Sequence, residues 1–155
     1  MNDPVPFLPR PSSPLPVEYD FDPHGSRAAQ SSWECFGGLT IRQAYEKLSD
    51  DPENVEAEFA HMGRAAFDYY FPVIDRYLRS ADPKDHNDHR EARALAYTLA
   101  AQLTGDLEPR LAQELEDLTD FVLGNIRYFA HNRTGERKIG GAWKLVRKKL
   151  RRGGA

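Results

Sequence analysis

A single cysteine, Cys35, in 155 residues leaves no internal disulfide to be made. A chain of this length can bury a sufficient core without disulfide or metal staples, and one domain is the expected size class. A lone thiol also fits a reducing compartment, so a cytoplasmic location is expected. No stretch approaches the roughly 18 apolar residues of a membrane span. The opening MNDPVPFLPRPSSPLP has neither a basic leader nor a continuous apolar run, so it does not read as a signal peptide. Strand signals are missing too. Nothing alternates cleanly, no Asn-Gly pair marks a hairpin, and no internal repeat is visible.

Catalytic signatures are equally scarce. There is no G-x-S-x-G and no G-x-G-x-x-G, and GERKIGG at 135–141 lacks the Lys-Ser/Thr ending of a phosphate loop. DPKDHNDH at 82–89 spaces Asp82, Asp85 and Asp88 by three, and His86 and His89 likewise. Carboxylates and imidazoles can bind Zn²⁺, Mn²⁺ or Fe²⁺. The glycine and distal glutamate of an EF-hand are absent, as is H-E-x-x-H, so a solvated polar loop is the simpler reading. Cys35, beside Trp33 and Phe36, reads as a small buried hydrophobe more than a nucleophile. With 24 acidic residues, any acid pair is uninformative. Neither enzyme activity nor a cofactor is expected.

What the chain does have is charge, unevenly spread. Its net charge of −3 divides into 12 Lys/Arg and 23 Asp/Glu over residues 1–132, and nine Lys/Arg against Glu136 alone over 133–155. An acidic body with a basic end is the main electrostatic feature. Proline is concentrated as well: six of the first sixteen residues are proline. Residues 1–32 therefore read as a flexible arm in polyproline II or disorder. PFLP and PSSP also fit the PxxP spacing of a Pro-rich ligand, a composition-driven signal.

Trp33 and Phe36 of WECFGG end the arm as anchors. Thr40 and Gln43 have capping-box spacing, and Ile41, Ala44, Tyr45 and Leu48 then share one helical face. A short helix is expected over 53–61, with Val55, Phe59 and Met62 on one side. In FAHMGRAAFDYYFPVIDRYLRS, residues 59–80, the side chains Phe67, Tyr70, Phe71, Ile74, Tyr77 and Leu78 follow a 3.6-residue period. That spacing favours core over an aromatic ligand box. Pro72 cannot donate to the carbonyl of Asp68, so the segment is expected to kink or break there. Further helices are expected over 89–103, with Asp88 and Glu91 as a second capping box, and over 107–131. A basic linker then leads to a last helix over 141–151, whose apolar stripe is Ile139, Trp143, Val146 and Leu150. The fold class is all-α, a bundle of five to six helices: arm 1–32, helical domain 33–131, and basic linker with amphipathic helix 132–155.

The basic end supports three readings. It could lie on acidic lipid with Trp143 and Leu150 inserted. It could hold nucleic-acid phosphates through Lys144, Arg147, Lys148 and Arg151. Or it could fold back and bury its stripe on the acidic body.

WECFGGLTIRQAYEKL and FAHMGRAAFDYYFPVIDRYLRS, taken together, resemble small uncharacterised bacterial helical proteins with a W-x-C-F-G-G…AF-x-YYFP…YL pattern, of the immunity type found beside bacterial toxins. The resemblance rests on Trp33 to Leu78. It implies a non-enzymatic module that neutralises a basic protein partner through an acidic surface, with electrostatic steering toward a basic cleft. Asp68, Asp75, Glu114, Asp117 and Asp120 are the contacts expected off the apolar faces. The alternative is a nucleic-acid-associated accessory protein acting through the basic helix.

Overall fold

Thr40 starts a helix where its spacing says it should. Its Oγ1 accepts from the Gln43 backbone N–H at 3.1 Å, and Gln43 Oε1 accepts from the Thr40 N–H at 2.9 Å. The structure is a computed structural model that describes residues 5–81, 88–130 and 132–153, with only the backbone of Asp88, His89 and Gly153. Residues 82–87 of the Asp/His segment, the side chains of Asp88 and His89, and His131 lie outside the described residues. All regular structure among the described residues is helical. Six helices there have ten residues or more and four are single turns. The chain forms two compact units, Met1–Ser80 and Ala81–Ala155.

The first unit holds α1 (Glu18–Phe21), α2 (Arg27–Phe36), α3 (Ile41–Asp50), α4 (Pro52–Val55), α5 (Glu58–His61) and α6 (Arg64–Arg79). The aromatic segment is its core. Phe67, Tyr70, Phe71 and Ile74 are fully buried, and Leu78 nearly so. Tyr77 is half-buried. Phe36 packs on Phe59 with ring centroids 4.8 Å apart. The Tyr70 hydroxyl donates to the Leu39 carbonyl at 2.6 Å, so burying this phenol leaves no orphaned polar atom.

Two expectations for this unit are refined. First, of the kink or break expected at Pro72, the break is absent: α6 runs through Pro72 as one helix. The missing proline N–H would leave the Asp68 carbonyl unpaired four residues back. Arg10 supplies the bond instead: its Nε donates to that carbonyl at 2.9 Å, and its Nη2 lies 3.3 Å from the Asp68 carboxylate. Second, the N-terminal segment from residue 5 is not a disordered arm. The Arg10 side chain is only 4 % exposed. Phe7 meets the Tyr45 ring edge-on at 5.5 Å, and the Arg76 guanidinium lies over the Phe7 ring at 4.3 Å. Pro16 is buried. Farther along, Ser26 caps α2 by accepting from the Ala29 N–H at 3.0 Å, so helix begins before Trp33. Gly63 is required where α1 meets the start of α6. Its N–H donates to the Phe21 carbonyl at 2.7 Å, and a Cβ there would collide with the Asp20 carbonyl oxygen.

The second unit holds α7 (Asp88–Gln102), α8 (Pro109–Gly124), α9 (Ile126–Phe129) and α10 (Arg133–Gly153). The helix expected over 107–131 stops at Gly124, where Asn125 leaves helical geometry and its Nδ2 donates to the Phe121 carbonyl at 2.7 Å. The expected linker is helix as well. Asn132 Oδ1 accepts from the Gly135 N–H at 2.7 Å and caps α10 at its first turn. α10 packs along α7 and against α8 and α9. Ile139, Trp143 and Val146 are fully buried there, with Leu95, Leu99, Leu115, Leu118 and Val122. Trp143 Nε1 donates to the Ala92 carbonyl at 2.9 Å. Among the described residues no helix is long and apolar enough to cross a membrane.

Candidate nucleic-acid interface

The acids expected to face a partner are mostly engaged by the chain's own cations. Asp68 pairs with Arg10. Asp75, expected on an outer face, is buried and accepts from Arg79 Nε at 2.9 Å. Glu114 accepts from Arg110 at 2.9 Å. Asp120 is exposed and accepts from Arg147 Nη2 at 2.7 Å. Asp117 is exposed and accepts from the Gln113 amide at 2.8 Å. Asp68 and Asp75 belong to the first unit and the other three to the second. Among the described residues no group of three or more His, Cys, Asp or Glu side chains is placed to share a metal ion.

The basic residues of α10 are arranged differently. At 100° per residue, Arg133, Arg137, Lys144, Lys148 and Arg151 fall within about 60° of arc, in a stripe about 27 Å long. All five are exposed, and none bonds a carboxylate among the described residues. The opposite side of the helix carries Ile139, Ala142, Trp143 and Val146, all buried. The apolar stripe docks on its own unit through Ile139, Trp143 and Val146, with Leu150 half-buried, and enclosed Trp143 is removed as a lipid anchor. The cations of the outer stripe are not used in that docking. Among the described residues only Arg147, at the edge, reaches an acid, and Lys149 instead donates to the Ala100 carbonyl at 3.2 Å.

The stripe has a gap at Gly140 and Gly141. Glycine inside a helix costs roughly 1 kcal/mol relative to alanine. Packing does not demand the second glycine, since a Cβ at Gly141 would meet nothing within 4 Å. Their missing side chains open the floor of a groove of about 530 Å³, lined by Arg133, Arg137, Lys144 and Arg147 against one acid, Glu136, which lies 3.8 Å from Arg127, with Leu123 and Ile126 also in its lining. A cationic groove with a bare backbone floor can take phosphate groups close to the helix while the flanking side chains neutralise them.

On the other flank of α10 lies a second groove of about 340 Å³, between α7 and α10, lined by Arg90, Arg93, Tyr97 and Lys138. Tyr97 is 49 % exposed and stands with the Arg93 guanidinium 5.8 Å from its ring centroid. Of the phosphate contacts expected from sequence, the structure places Lys144, Lys148 and Arg151 in the exposed stripe and Arg147 at its edge. Arg133, Arg137 and Lys138 were not named among those contacts, because the segment holding them read as a linker. Sequence reasoning missed Arg93 and Tyr97. Their i, i+4 spacing was visible, but nothing in the sequence alone placed them beside the basic helix. No protein-family model, curated protein or solved structure matches the chain.

Proposed function

We propose that the chain is a non-enzymatic binding protein that holds the phosphate backbone of a nucleic acid along the outer face of α10. One observation carries this reading. Five exposed cations, without carboxylate partners among the described residues, line one face of a helix whose opposite face is fixed by buried Trp143. A helix already fixed in place loses little backbone freedom on binding, which favours affinity. The test is the double charge reversal Lys144→Glu, Lys148→Glu, both at exposed positions. Binding of a labelled 20-nucleotide strand at 50 mM salt is expected to weaken more than 10-fold, with the circular dichroism spectrum unchanged. Wild-type affinity is expected to fall log-linearly with salt, with a slope of about −0.7 per phosphate contacted. Salt-independent binding, or a double variant that binds like wild type, would end this reading.

A second reading, an acidic face meeting a basic protein in the manner of immunity-type proteins, draws on a separate observation. The first unit carries seven Lys/Arg against thirteen Asp/Glu, and α3 with its cap exposes Glu46, Asp50 and Asp51 together. Such a face would steer a basic partner. The Lys144→Glu, Lys148→Glu variant separates the two, since capture of a basic protein through the first unit would survive it.

A further inference from the structure

Given the phosphate-binding reading, on which this rests, the geometry points to a single-stranded ligand, with one base stacked on Tyr97 in the groove between α7 and α10. Three observations converge. The Tyr97 ring is about half exposed, in a groove of about 340 Å³ that has room for a nucleobase beside the ring. That groove shares its wall with the basic helix through Lys138, the neighbour in sequence of Arg137 on the outer stripe. Among the described residues its remaining polar lining is cationic, from Arg90 and Arg93, with no acid. An aromatic face beside a track of cations is the combination that binds single strands with little sequence preference, because every base offers a π-face. A duplex keeps its bases stacked on one another and would offer Tyr97 nothing. A bare phosphate polymer would use the stripe and leave the ring idle. The Arg93 guanidinium, already near the Tyr97 ring, is placed to extend the platform.

The experiment compares three probes against the full chain: an unstructured oligothymidine 20-mer, a duplex of the same length, and inorganic polyphosphate of matched charge. The oligothymidine is expected to bind at least 10-fold more tightly than the polyphosphate. Tyr97→Ala, at an exposed position, is expected to weaken it by roughly 5- to 100-fold, the range for loss of one stacked base. The same variant leaves the polyphosphate affinity unchanged, and Tyr97→Phe restores oligothymidine binding. Equal affinity for oligothymidine and polyphosphate, a preference for duplex, or an unaffected Tyr97→Ala variant would overturn the base-stacking inference while the phosphate reading stands. Failure of all three probes to bind would remove the phosphate reading and this inference together.

Discussion

Tyr70 is the residue whose chemistry is most constrained by its surroundings. Burial pushes its phenol well above the ordinary value, and neighbouring Tyr69 adds to the shift. The unfolded chain releases this proton near pH 10, whereas the native state holds it to higher pH. Stability that is complete below pH 10 is therefore lost as the pH climbs past it, because only the unfolded state then gains from deprotonation. Tyr70→Phe is expected to cost about 1 kcal/mol at neutral pH through the lost hydrogen bonds. It is also expected to flatten the alkaline decline. Urea midpoints between pH 7 and pH 11 measure both effects, and a Phe variant that declines as steeply as wild type would refute the assignment. Cys35 is shifted in the same direction. Burial raises its thiol, opposed by Lys47, whose Nζ donates to the Cys35 carbonyl at 2.6 Å. An elevated, half-buried thiol reacts slowly at neutral pH.

At the scale of the element, α6 and Arg10 form one hydrogen-bonded object although 58 positions separate Arg10 from Asp68. Arg10→Ala strips both the carbonyl and the carboxylate of a cation in a partly buried place, at an expected cost of about 2–3 kcal/mol. Pro72→Ala returns the missing N–H to α6. In that background the Asp68 carbonyl has a partner within its own helix, so Arg10→Ala is expected to cost about 1 kcal/mol less. Strictly additive costs in a denaturant double-mutant cycle would mean that Arg10 does not stand in for the proline. The element scale also shows what could be read beforehand. The 3.6-residue spacing of Phe67, Tyr70, Phe71 and Ile74 identified a core face, and the Thr40 and Gln43 box fixed a helix start. The donor that serves the Asp68 carbonyl was not legible, because it comes from a segment whose proline content pointed to disorder. The helical state of 133–141 was hidden for a related reason: three glycines and a polar run lower local propensity, and packing along α7 overrides it. Asn132 at the cap was the one local signal that α10 starts there.

For the whole molecule, the two units carry opposite charge balances. The first holds seven Lys/Arg against thirteen Asp/Glu, and the second fourteen against eleven. The basic end is thus built into the second unit and is not an appendage. A chain ended after residue 132 loses Ile139, Trp143 and Val146 from that unit's interior, and exposes what they cover on α7, α8 and α9. Loss of a buried tryptophan alone costs about 3–5 kcal/mol, comparable to the whole stability of a small domain. Truncation is expected to abolish protection of the amides of α7 and α8 in hydrogen exchange, while those of α6 stay protected. Retained protection in α7 and α8 would show that the basic helix is dispensable to the fold. The same consideration explains why substitutions at exposed cations, and not removal of the basic segment, can separate binding from stability.

The lone native thiol has a practical corollary. Because Cys35 is shielded, a cysteine introduced at Gly141, where there is open space on the floor of the α10 groove, would outpace it toward a maleimide dye. Fluorescence from a brief labelling, taken before Cys35 reacts, would then report occupancy of the groove from that one position.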